Sequence, residues 1–233
     1  MKAFHVIVFL SLTNAAISSA NPVLNVQILE YRGEARSLEG DLVYHENHRV
    51  EFVGEQIKNT ETFYFDKDRK KIASLVSDYS YSQKMPTYEF TDYINPRKEG
   101  LRRQGQDYEI YFSLGSQPEQ TNRIKAAENV FASQGWHYYL VNNLSRINET
   151  GMQLQLVLPS ELDAFEFKLK KTAEEKNIIN FSLTVSSWFL RLFAPELKLS
   201  YDKKQKRLLE YEGVSNVLDR DGKRQKVKIT YFY

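Results

Sequence analysis

The chain has 233 residues, with 32 Lys and Arg against 30 Asp and Glu, a net charge of +2 and no cysteine. That length can bury a substantial core. The near-neutral balance argues against a polyanion partner, nucleic acid included, and the missing cysteine excludes disulfide staples and the lipidated cysteine of a bacterial membrane anchor.

Lys2 precedes an apolar run from Val6 to Leu10, extended by Leu12, Ala15, Ala16 and Ile17, and Ser18, Ser19 and Ala20 supply small residues for a signal peptidase. This pattern predicts a signal peptide over residues 1–20, cut before Asn21 and too short to span a bilayer. Residues 21–233 then form a single strand-rich domain, periplasmic or secreted, with no transmembrane span in the mature chain.

From there the chain alternates apolar and polar residues, the mark of strands with one buried face. In order, the alternating sets are Leu24, Val26 and Ile28; Phe63 and Phe65; Tyr108, Ile110 and Phe112; Leu154, Leu156 and Leu158; Phe165, Phe167 and Leu169; Leu197, Leu199 and Tyr201; and Val227, Ile229 and Tyr231. Charged residues on the alternate face predict an antiparallel sheet with one face in water. Asp66–Lys70 and Asp202–Lys206 read as polar turns, Asp221-Gly222 as a tight hairpin, and residues 95–107 as a charged loop.

Two stretches break the strand pattern. Thr121 or Asn122 is expected to cap a helix through Ile124, Ala127, Val130 and Phe131, interrupted at Gly135 and resumed from Trp136 to Ile147. A second short helix is expected over Ser186–Ala194, capped by serine and ended by Pro195. Its run Trp188-Phe189-Leu190-Arg191-Leu192-Phe193 is too apolar for a surface. The fold class that follows is mainly β (α+β): a curved antiparallel sheet or half-barrel plugged by short helices.

Chemistry-bearing patterns are few. There is no nucleophile elbow, phosphate loop or His-Glu-x-x-His helix. His45 and His48 are three apart, which on a strand puts them on opposite faces, so they read as solvent-facing polar residues and not a metal pair. His137 reads as a packed or surface histidine. Asp219–Gly222 lacks the closing Glu of a calcium loop and reads as a turn. The sequence therefore predicts no enzyme, catalytic residue, metal site or cofactor.

The C-terminal half, with Val157-Leu158-Pro159-Ser160-Glu161-Leu162, a Phe-x-Phe strand, Leu197-x-Leu199-x-Tyr201-Asp202 and Tyr211-Glu212-Gly213-x-Ser215-Asn216, resembles a group of uncharacterised exported bacterial proteins. The general layout is similar to that of LolA-like lipoprotein carriers, which implies a curved sheet closed by helices around an apolar hollow. Trp136, Tyr139, Leu140, Leu144, Trp188, Phe189, Leu192 and Phe193 are the candidate lining. The expected function is an extracytoplasmic binding protein for a lipid or acyl ligand. The alternative is a structural or interaction protein with a filled core that meets an envelope partner.

Overall fold

A computed structural model describes residues 25–186 and 196–233. Fifteen strands among them form one continuous sheet. The first meander is β1 (Val26–Arg36), β2 (Leu42–Val53), β3 (Gln56–Phe65), β4 (Lys71–Asp78), β5 (Thr87–Asp92), β6 (Arg97–Gln104), β7 (Asp107–Leu114) and β8 (Gln120–Ile124). After β9 (Val130–Phe131) and the helix α1 (Gly135–Asn142), the second comprises β10 (Met152–Leu158), β11 (Asp163–Glu175), β12 (Ile178–Val185), β13 (Leu197–Asp202), β14 (Arg207–Val214) and β15 (Lys226–Phe232). A short 3-10 turn, Pro159–Glu161, joins β10 to β11.

The order across the sheet runs from β8 back to β1, then from β15 back to β9. Within each meander sequence neighbours pair antiparallel, β1 with β15 joins the two meanders, and β9, which does not pair with β8, runs parallel to β10. This is the antiparallel, mainly β architecture the alternation predicts, in the form of a long curved open sheet. The curvature brings its two ends together, where the Asn122 side chain of β8 donates to the Leu162 carbonyl at 3.0 Å. No helix among the described residues is long and apolar enough to cross a membrane.

Several local expectations change. Residues 95–107 are not a loop, because Arg97–Gln104 pairs on both sides as β6. Thr121 and Asn122 cap no helix, since they pair with Tyr111 and Ile110 in β8. The apolar spacing read there as helical comes from Ile124 at a strand end and from Val130-Phe131 bridging to β10. The helix is confined to Gly135–Asn142, and Gly135 begins it instead of interrupting it. On β1 the inward face is Leu29, Tyr31, Gly33 and Ala35, so Val26 and Ile28 point outward, at 52% and 53% exposure. Thr62 and Tyr64, not Phe63 and Phe65, carry the buried face of β3. Both strands have apolar residues on two faces, and alternation alone does not choose between them. The expected Ser186–Ala194 helix lies, apart from Ser186, outside the described residues.

The turn at Asp66–Lys70 forms as read, whereas the turn at Asp219–Gly222 lies within the long 215–225 connection between β14 and β15 and is not a tight hairpin. Asp66 Oδ1 accepts the amides of Asp68 and Lys70, and Asp219 Oδ1 those of Asp221 and Lys223. Gly222 supplies the required positive φ of 75°. Strand register places the 37–41, 66–70, 93–96 and 215–225 connections at one mouth of the curved sheet, and the 54–55, 79–86 and 203–206 connections at the other.

α1 lies across this second mouth. Its Trp136, Tyr139 and Leu140 follow the spacing of one helical face. Leu140 is fully buried with Phe131, Leu154, Phe181 and Tyr201 in the core under β10 to β13. The helix ends at Asn143, whose amide and side chain donate to the carbonyls of Leu140 (2.9 Å) and Tyr139 (2.8 Å).

Candidate functional site: a hollow under the sheet

A cavity of about 380 Å³ occupies the concave side of the sheet, between α1 and the 215–225 connection. Its walls are mostly aromatic and aliphatic: Leu75, Phe90, Leu156, Phe167, Leu199 and Ile229 are among them. Long β strands with large inward side chains leave such a space when the sheet curves without closing into a tight, filled barrel.

Two neighbouring rows of inward residues bring polar groups into this apolar setting. One row crosses six strands as Tyr31, His48, Thr62, Leu75, Phe90 and Glu99, each paired in register with the next. The other runs Tyr231, Gly33, Glu46, Tyr64, Ala73, Asp92 and Arg97. Polar residues thus sit towards both ends of each row, with apolar side chains between them.

Glu46, His48 and Thr62 form a hydrogen-bonded chain. His48 Nε2 lies 2.8 Å from Glu46 Oε2, and its Nδ1 lies 3.0 Å from Thr62 Oγ1. The imidazole also stacks on Tyr31, with ring centroids 4.3 Å apart and nearly parallel planes. Gly33 makes room for this group, because a Cβ there would meet Glu46 Oε2 at 3.0 Å and Tyr231 Cε1 at 3.1 Å. Burial first, and the nearby Glu46 carboxylate second, hold the phenols of Tyr44, Tyr64 and Tyr231 well above their ordinary range, so they remain neutral donors.

The other polar group lies at the first mouth. The Arg97 guanidinium stands 4.9 Å over the Phe90 ring and donates from Nη2 to the Asn216 carbonyl at 2.6 Å. Its Nη1 is 3.6 Å from Glu99 Oε2. Tyr44 and Ser215 hydroxyls, 2.9 Å apart, hold the same connection, as does Asn95, which donates to the Asp219 carbonyl at 3.0 Å. The 215–225 segment is therefore strapped over the cavity from β2 and β6. At the second mouth, the Tyr201 hydroxyl and His137 Nδ1 are 2.8 Å apart.

Of the lining residues expected from sequence, Trp136 faces the cavity. Tyr139, Leu140 and Leu144 do not line it; they pack in the core under β10 to β13, where Tyr139 meets Phe131 at 5.2 Å. Trp188, Phe189, Leu192 and Phe193 lie outside the described residues. His45 and His48 do stand on opposite faces of β2, yet His48 is 7% exposed and not solvent-facing. The signal for it was available: Tyr44, Glu46, His48 and Val50 alternate, with apolar ends that mark the whole face as inward. Arg97 and Glu99 were missed because β6 was read as a loop.

A second hollow, of about 630 Å³, lies on the outer face between Arg32, His45, Phe65, Arg69 and Phe232. Its lining is largely exposed or half-buried, and it holds no buried polar cluster.

No protein-family model matches the chain, and no curated protein matches it in sequence. Among solved structures, the crystal structure of a β-barrel-like protein of domain of unknown function DUF1849 from Brucella abortus is similar in fold. The TM-score is 0.49 and the identity 7%, over 90% of this chain and 97% of that one.

Proposed function

We propose that the protein is a non-catalytic binding protein that takes a small apolar or amphipathic molecule into the hollow of its sheet. The observation that carries this is the cavity of about 380 Å³, with apolar walls and a few buried polar side chains. That combination of size and lining is typical of a small-molecule site. It favours binding over the alternative of a filled-core structural protein.

The polar chain at His48 gives the apolar hollow a buried polar contact, with the imidazole hydrogen-bonded to Glu46 and Thr62 and stacked on Tyr31. In this reading the leader at residues 1–20 sends the protein out of the cytoplasm, where the ligand is a lipid fragment or acyl compound of the envelope.

The test is native mass spectrometry of protein purified from the extracytoplasmic fraction, with solvent extraction, together with calorimetric titration of butylbenzene. One apolar molecule per chain, or saturable butylbenzene binding, is expected. Empty protein that also fails to bind butylbenzene overturns the reading.

A further inference from the structure

Building on the reading that the hollow holds a ligand, we propose that this ligand is a neutral single-chain amphiphile whose hydroxyl head sits between Arg97 and Glu99, beneath the 215–225 connection. Both residues are on the inward face of β6 and both line the cavity. Their 3.6 Å approach is too long for a hydrogen bond. Arg97 Nη2 is committed to Asn216. Arg97 Nε and Glu99 Oε2 are left buried with no hydrogen-bond partner among the described residues. Folded proteins pair nearly all such atoms.

A stranded donor beside a stranded acceptor is complemented by one group that both accepts and donates. A hydroxyl does so, whereas a carboxylate or phosphate only accepts and an ammonium only donates. Charge makes the same selection. Arg97 already faces Glu99 and stands in register with Asp92, whose Oδ2 is likewise unpaired among the described residues. Arg224, also on the cavity wall, is 3.5 Å from Glu161. Among the described residues on the cavity wall, neither guanidinium is left without a carboxylate for an anionic head to replace, and an ammonium would be pressed against Arg97. Burial raises the Glu99 carboxyl against the pull of Arg97 and Arg224, with a push from Asp92, so a second negative charge is unwelcome there.

Size sets a scale for the tail. At roughly 30 Å³ per water-sized group the cavity has room for at least about a dozen heavy atoms. That is enough for one short chain or one ring with a short chain.

Calorimetric titration of the unaltered protein at pH 8 with butylbenzene, phenylbutanol, phenylbutanoate and phenylbutylamine decides the matter. Phenylbutanol is expected to bind about tenfold tighter than the other three, the worth of a well-made hydrogen bond. In Glu99→Gln, phenylbutanoate should gain about tenfold, because one of the two carboxylates beside Arg97 is then gone. If the acid or amine binds as tightly as the alcohol while butylbenzene also binds, the head-group assignment falls and the cavity reading stands. If none of the four binds, the cavity reading falls with it. The panel on the unaltered protein is decisive even if Glu99→Gln does not fold.

Discussion

The Tyr201 hydroxyl and His137 Nδ1 are hydrogen-bonded across 2.8 Å, tying α1 to β13 at one mouth of the curved sheet. Burial, with a smaller contribution from His48, pushes the His137 imidazole down from 6.5 to about 4, which keeps it neutral and able to accept.

A pH dependence follows from that depression. Above pH 6.5 both folded and unfolded chains hold His137 neutral and it has no effect. As pH falls from 6.5 towards 4, the unfolded chain takes a proton that the folded chain refuses, so stability declines through that window. The full loss is roughly 3 kcal/mol. Urea unfolding at pH 7 and near the lower end of the window should show this loss, and His137→Gln should flatten it while other acid-sensitive groups act equally in both proteins. Identical pH dependence in the two would mean that His137 does not carry the effect.

The pair at Glu46 and His48 is testable by a double-mutant cycle. His48→Leu leaves the Glu46 carboxylate buried without its partner, and losses of this kind run to roughly 3–5 kcal/mol. Adding Glu46→Leu removes the stranded charge, so the double variant is expected to be more stable than His48→Leu alone. Additive losses in urea midpoints would show that the two side chains do not depend on one another.

Much of this fold was legible in the chain, because alternation reports strands directly: Tyr108 with Ile110, Phe167 with Leu169, and Val227 with Ile229 all face inward as read. Polar residues on the inward face defeated the same rule. Arg97-x-Glu99 looks like solvated loop until the strand pairing of β6 is known, and His48 looks like surface until Tyr44 and Val50 are taken with it. The helix reading failed at Thr121 and Asn122 for a related reason. Edge strand β8 has little apolar content, and its pairing with β7 is a long-range choice that local spacing does not encode.

Gly33 separates Glu46 from Tyr231 in the register of β1, β2 and β15. A Val side chain there would displace Glu46 Oε2, Ile229 Cγ2 and Tyr231 Cε1, which lie 3.0–3.1 Å from the position of its Cβ. Gly33→Val should cost about 1–3 kcal/mol by overpacking, or a fall of several degrees in Tm. It should also weaken butylbenzene binding, because Glu46 and Tyr231 both line the cavity. Unchanged binding by folded Gly33→Val would place the ligand away from this end of the hollow.

The closure at α1 depends on Gly135. A Cβ there would lie 2.2 Å from the Lys84 carbonyl oxygen and 2.7 Å from its carbon, so any side chain drives the helix start off the 79–86 connection. The same carbonyl accepts the Ala132 amide at 3.0 Å, and Ser77 and Ser133 hydroxyls meet at 3.2 Å beside it. Further along the helix, Tyr138 packs edge-on to Tyr79 at 5.7 Å. Displacing the helix start therefore strains several contacts at once, and Gly135→Ala is expected to cost about 1–3 kcal/mol. Gly54→Ala is the control: its φ of 62° disfavours a side chain, but nothing lies within 4 Å, so its cost is backbone strain alone, about 1 kcal/mol. Hydrogen exchange should then show faster opening of the α1 amides in Gly135→Ala and not in Gly54→Ala. If the two variants lose equal stability and α1 exchanges alike in both, the 79–86 connection yields to the methyl group, and the helix is not held at the mouth by this contact.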